Sequence, residues 1–238
     1  MSNFQAQKVA VITGAPHGLG AGLVTGYRKL GYSVVATART MSPSGDADVV
    51  TVGGDIADPS TAERVIAAGM ERFGHIDTLV NNAGIFISKP FTDYTQDDFD
   101  AMIAVNVAGF FHLTRLAVPH MLERGGGHIV NITTSLVDHA HSKLPSVLAS
   151  LTKGGLQAAT KSLAIEYAQQ GIRCNAVSPG HINTPLNPED VHEFLAGLEP
   201  VGHLGERSDV VDAVLYLENA PFVTGEILHV DGGQSAGH

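Results

Sequence analysis

Thr13-Gly14-Ala15-Pro16-His17-Gly18-Leu19-Gly20 is the stretch that decides the fold. It follows the apolar run Val9-Ala10-Val11-Ile12 and opens a segment with helical spacing. The glycines permit a tight turn and let backbone N–H groups approach a pyrophosphate, which then rests on the positive N-terminus of the next helix. A glycine pattern by itself also fits an ordinary strand-to-helix loop. Its place between the first strand and the first helix makes nucleotide binding the expected reading.

Working outward, short β-branched runs alternate with longer helical segments, which is the signature of parallel βαβ units. Strands are expected over 8–13, 33–38, 49–53, 78–81, 128–132, 173–177 and 226–230. Most are apolar throughout, as strands are when helices cover both faces of a sheet. Helices are expected over 18–30, 59–72, 96–123, 146–170 and 208–217, with Pro59 and Ser208 as starts and Gly31, Gly125 and Gly171 as stops. The expected fold class is α/β, one Rossmann-type doubly wound domain spanning residues 1–238, with a parallel sheet of about seven strands.

Composition narrows the function. A net charge of −10 argues against nucleic acid and anionic membranes as partners, since both call for basic patches. The single Cys174 cannot form an internal disulfide, which points to a reducing, cytoplasmic setting. The opening Met1-Ser2-Asn3-Phe4-Gln5 has no basic region followed by an apolar run, so no signal peptide is expected. No uninterrupted apolar run reaches the roughly 18 to 20 residues of a membrane span. His139-x-His141 lacks a third ligand, so no metal is expected.

The second strand ends Ala36-Thr37-Ala38-Arg39-Thr40. An acidic residue at this edge would hold a ribose 2′-hydroxyl, whereas an arginine favours a 2′-phosphate. Arg39 therefore favours NADP(H), with NAD(H) left open, and His17 is a weaker second contact.

The spacing Thr-Gly-x-x-x-Gly-x-Gly resembles that of the short-chain dehydrogenase/reductase family, and the likeness covers nearly the whole chain. Gly53-Gly54-Asp55-Ile56 resembles the loop after the third strand, which implies an adenine contact by Asp55 and a cofactor contact by Ile56. Asn81-Asn82-Ala83-Gly84 is similar to the motif that closes the fourth strand and lines the cofactor. Val105-Asn106-Val107 resembles the segment whose Asn holds a relay water. Ser178-Pro179-Gly180-His181-Ile182-Asn183-Thr184 resembles the nicotinamide cradle, with Pro179, Gly180, Ile182 and Thr184 at the cofactor. Val223 to Gly233 reads as a family terminus. The resemblance implies cofactor contacts from Gly14, His17, Gly18, Leu19, Gly20 and Lys153 as well, and a homotetramer.

In that family a tyrosine moves the proton, a lysine one helical turn later lowers its pKa and holds the ribose, and a serine positions the substrate oxygen. Here Lys153 matches the lysine, but the position four residues earlier is Ala149. Thr134 falls on the serine position, with Ser135 beside it. None of the five tyrosines, Tyr27, Tyr32, Tyr94, Tyr167 and Tyr216, lies between Thr134 and Lys153. The replacement acids to weigh are His139 and His141 in the loop bordering the substrate, then Lys143, Ser146, Ser150, Lys153 itself or a bound water. The first reading is an NADP(H)-dependent oxidoreductase interconverting a small-molecule carbonyl and alcohol through an unusual proton donor. The second is a reductase-like pseudoenzyme that binds nucleotide or partners an active subunit. A non-redox lyase or dehalogenase ranks last, because relatives of that kind tend to lose the glycine loop and keep the tyrosine.

Overall fold

A computed structural model describes residues 7–237. The opening pentapeptide, residues 1–5, lies outside the described residues. Seven parallel strands form one sheet in the order β3-β2-β1-β4-β5-β6-β7. In chain order they are β1 (Val9–Thr13), β2 (Ser33–Ala38), β3 (Val49–Gly53), β4 (Thr78–Asn81), β5 (Gly127–Ile132), β6 (Ile172–Pro179) and β7 (Ile227–Val230). The direction of winding reverses between β1 and β4, and doubly wound sheets open a ligand crevice at the carboxyl ends of such a pair.

Alternation along β1 separates two cores. Val9 and Val11 point to the face covered by α2 (Pro59–Phe73), α4 (Gly109–Arg124) and α5 (Val147–Tyr167). Ala10 and Ile12 point to the face covered by α1 (Gly18–Lys29) and α7 (Arg207–Asn219). Burial on both faces accounts for the unbroken apolar character of the central strands.

Local chemistry sets the ends. Asp58 caps α2 by accepting from Ser60 N, Pro59 occupies the first turn, and Gly74 closes the helix at φ +80°. Gly31, Gly125 and Gly171 all have positive φ and follow helical segments. Helix α7 begins one residue before Ser208. Its cap is Glu206, whose side chain and that of Asp209 form a reciprocal capping box, so a carboxylate does the work expected of the serine.

The helix expected over 96–123 is interrupted. Helix α3 (Gln96–Met102) passes into a π turn over Ile103–Ala108 before α4 begins. Asn106 sits in that wider turn with its amide on the Ile85 backbone, a local cause for the irregularity. Gln96–Arg124 is long and apolar enough, by length and composition alone, to cross a membrane. Its residues Leu113, Ala117 and Met121 are buried in the core between α2 and the sheet. A short helix not expected from the sequence, α6 (His192–Ala196), lies beyond β6.

Candidate active site

The carboxyl ends of β1, β4, β5 and β6 surround a cavity of about 540 Å³. Of the residues expected there, His17, Gly18, Leu19, Asn82, Gly84, Thr134, Ser135, Lys153, Pro179, Gly180, Ile182 and Thr184 line it. Gly14 and Gly20 build the turn beneath. A Cβ on Gly20 would come 1.9 Å from the Gly14 carbonyl oxygen, so only glycine fits. Asn82 clamps this turn, its Nδ2 donating to Thr13 O at 2.8 Å and Gly14 O at 3.3 Å. Thr13 Oγ1 in turn accepts from the backbone N–H groups of Asn82 and Ala83.

Helix α1 starts at this turn without a capping side chain and without an acidic residue in its first turn. Its N-terminal donors and dipole therefore face the cavity unneutralised. Arg39 stands exposed just past the end of β2. Asp55 is exposed beyond β3, with Oδ1 accepting from Ala57 N at 3.0 Å. The Ile56 side chain is packed into the core, where it presses against Gly109, so any contact from this residue to a ligand is left to its backbone.

Lys153, on α5, donates from Nζ to Ile132 O at 2.8 Å, and burial lowers its pKa to about 8. Asn106 is buried behind Gly84. Its Oδ1 accepts from Ile85 N at 2.9 Å, and its Nδ2 donates to Ile85 O at 3.0 Å and Thr152 Oγ1 at 3.2 Å. A Cβ on Gly84 would lie 3.0 Å from Lys153 Nζ and 3.2 Å from Asn106 Oδ1, so the missing side chain lets these groups share one spot. Thr134 Oγ1 accepts from Leu136 N at 3.4 Å and keeps its own hydrogen for a ligand. The neighbouring Ser135 hydroxyl is turned away to Gln234 Oε1.

A family profile described as Enoyl-(Acyl carrier protein) reductase matches residues 14–235. The chain is 40% identical over 253 residues to 2-(R)-hydroxypropyl-CoM dehydrogenase from Xanthobacter autotrophicus, covering 96% of this chain and 99% of the relative. The chain belongs to the short-chain dehydrogenase/reductase family. Two solved structures of short-chain dehydrogenase/reductases superpose closely. ElxO with NADP bound gives a TM-score of 0.91 at 30% identity, covering 97% of this chain and 100% of that one. A 3-ketoacyl-(acyl-carrier-protein) reductase from Brucella melitensis complexed with NADH gives 0.87 at 32% identity, covering 96% and 98%.

Within this short-chain dehydrogenase/reductase, Ala149 lines the cavity one turn before Lys153, and among the described residues no tyrosine does. Tyr94 packs in the small cluster with Leu148 and Ala149, but its hydroxyl donates to Ile87 O at 2.8 Å. His139 and His141 do not line the cavity. Their rings lie 6.3 Å apart in the loop before α5, and His141 Nδ1 accepts from Lys143 N. Ser150 donates to Leu136 O. Cys174 is buried in the core, and burial pushes its thiol up to about 12, which makes it inert.

The sequence reading passed over two groups. His181 lines the cavity, and Glu199 holds its ring from beneath. The available signal was a titratable residue directly after Pro179-Gly180, inside the segment that resembles the nicotinamide cradle.

Proposed function

We propose that this protein is an NADP(H)-dependent oxidoreductase that interconverts a carbonyl and an alcohol on a compact apolar substrate, using a proton carrier other than tyrosine. The observation that carries the reading is the uncapped N-terminus of α1 opening on the same cavity as Lys153. The residues present fit a dinucleotide. The Gly14–Gly20 contact leaves no room for side chains where the pyrophosphate would approach, and Gly18 has a φ of +53°. Arg39 supplies a cation at the edge where a 2′-phosphate would sit, with NAD(H) as the alternative. Leu19, Asn82, Ala83, Gly84, Pro179, Gly180, Ile182 and Thr184 would flank the nucleotide, and Asp55 the adenine.

When bound, the dinucleotide supplies the hydride. Lys153 would hold its ribose, and the Thr134 hydroxyl would orient the substrate oxygen. Ile85, Phe86, Leu144, Leu186 and Phe194 give the remaining cavity an apolar wall that excludes water from the carbonyl. Ala149 occupies the position where the family carries its tyrosine. Phe111 and Leu122 on α4 and Leu151 and Ile165 on α5 are exposed apolar side chains, which supports a homo-oligomer, a tetramer in our reading. The whole chain is then one cofactor-binding and catalytic unit, working in the cytoplasm.

The test is NADPH oxidation against a broad carbonyl panel, with the native protein and Ala149→Tyr side by side. Turnover by the native protein supports a substitute acid. Turnover by the tyrosine variant alone would favour a nucleotide-binding pseudoenzyme, the reading that Ala149 by itself suggests.

A further inference from the structure

His181 follows the Pro179-Gly180 turn and is 8% exposed. Its main-chain N–H donates to Glu199 Oε1 at 2.7 Å, and its ring Nδ1 lies 2.8 Å from the same oxygen. An ionised carboxylate only accepts, so Nδ1 carries a hydrogen and the reactive nitrogen is Nε2. Gln234 Nε2 lies 3.4 Å from Nδ1, and with the Nδ1 hydrogen directed to Glu199 this is packing rather than a hydrogen bond. No described residue hydrogen-bonds Nε2, and the ring lines the cavity together with Thr134 and Lys153.

Glu199 is 5% exposed, and its second oxygen, Oε2, is buried without a partner. The backbone closes tightly over the pair. A Cβ on Gly180 would fall 2.8 Å from Oε1, and one on Gly232 would fall 3.2 Å from Oε2. The segment is pinned further by Gly180 N to Val230 O and by Gly205 N to the His181 carbonyl, both at 3.0 Å. The ring therefore has a fixed tautomer and a fixed direction, as a general acid must.

We propose that His181 carries the proton to and from the substrate oxygen, with Glu199 as its positioning residue; the inference rests on the oxidoreductase reading above. The hydride comes from the reduced nicotinamide dinucleotide named there. During carbonyl reduction the Nε2–H bond of the imidazolium breaks. The substrate oxygen, holding the former π pair of the carbonyl, forms the new O–H bond. The ring is left neutral, with its Nδ1–H still on Glu199. During alcohol oxidation the Nε2 lone pair takes the hydroxyl proton, the carbinol carbon gives up its hydride to the oxidised form of the same dinucleotide as the C=O π bond forms, and the ring returns to the imidazolium.

The experiment compares the native protein with His181→Phe and Glu199→Gln, reading NADPH affinity by fluorescence titration beside steady-state turnover. The expected result for His181→Phe is NADPH affinity within about threefold of native and turnover at least ~100-fold lower. Glu199→Gln should lower kcat about tenfold and leave both KM values unchanged, a split that guards against a His181 variant that fails to fold. Turnover by His181→Phe within about threefold of native, or an unchanged kcat for Glu199→Gln, overturns the assignment alone. A native protein that is silent while Ala149→Tyr turns over also overturns it. Silence of both defeats the oxidoreductase reading, and this inference with it.

Discussion

Glu218, at the amino ends of the strands, and Glu199, at the carboxyl ends, are both buried carboxylates held by a histidine, yet their surroundings differ. Glu218 accepts from Tyr27 at 3.1 Å, Tyr32 at 2.9 Å, Thr78 at 3.1 Å and His128 Nδ1 at 2.9 Å, so both oxygens are satisfied. Asn175 Nδ2 donates to His128 Nε2 at 3.1 Å, which fixes that ring as the neutral Nδ1–H tautomer. Glu199 spends one oxygen on His181 and leaves the other unpaired. The amino end is a closed polar network whose donors and acceptors are used up on one another. The carboxyl end keeps an unused ring nitrogen, an uncapped helix start and a free hydroxyl hydrogen around a cavity. Reactive capacity stays where the sheet opens, and cohesion is concentrated at the other edge.

The largest effect expected from breaking this contrast is at Glu218. Glu218→Gln keeps the shape but turns one acceptor into a donor, which then faces either the Tyr32 hydroxyl or the donors of Tyr27, Thr78 and His128. The cost should be roughly 3 kcal/mol in urea unfolding. Acid sensitivity should change with it. Burial works to raise the Glu218 pKa, but the hydrogen bonds from His128, Tyr32 and Tyr27 outweigh it and bring the value to about 2. The folded pKa lies below the unfolded one, so this stabilisation is complete above about pH 4.5 and is lost as pH falls from there toward 2. Burial also lowers the pKa of His128, so that ring too resists protonation in the folded state and weakens the fold as pH drops below 6.5. Stability of the native protein should fall steeply across the acid range, and the slope between pH 4.5 and 2 should flatten in Glu218→Gln. A loss under about 1 kcal/mol with an unchanged slope would show that the network adds no cohesion.

A smaller change tests whether the open end holds the expected ligand. Arg39→Asp exchanges an exposed cation beyond β2 for an acceptor suited to a ribose hydroxyl. The ratio of NADPH to NADH affinity should shift toward NADH by about tenfold, or about 1.4 kcal/mol. An unchanged ratio would make Arg39 a solvated surface charge.

The sequence revealed most where a residue type answers to its own backbone. Strands β2, β3 and β4 span the residues expected of them, and the glycines at 31, 125 and 171 mark turns because left-handed backbone favours them. The glycine turn was legible for the same reason, whereas Lys153 stood out only through the resemblance to the family. Partnerships across long sequence gaps were not. Tyr27 and Glu218 are 191 positions apart, and His181 and Glu199 are 18 apart on a strand end and the turn after α6. Neither pair follows a helical or strand period that would reveal it. His139 and His141 show the limit of reading position along the chain, since their chemistry suits proton transfer and their loop borders the site in sequence, yet neither is among the residues that line the cavity.

The smallest effect, and the sharpest test of the contrast, is the same substitution made at the other carboxylate. In Glu199→Gln the retained Oε1 can still accept from the His181 main chain and from Nδ1, at 2.7 and 2.8 Å in the native arrangement. The new amide nitrogen replaces an oxygen that already has no partner, so one unsatisfied atom is exchanged for another. The fold no longer carries a buried charge, and that gain offsets the weaker neutral hydrogen bond to the ring. Stability should therefore move by less than about 1 kcal/mol in the same urea assay that registers roughly 3 for Glu218→Gln. Equal losses at the two sites would mean that Glu199 holds the fold together as Glu218 does, and that the two ends of the sheet are alike. A small loss at Glu199 alone means the fold tolerates its charge without depending on it, which leaves orientation of His181 as the use the structure makes of that carboxylate.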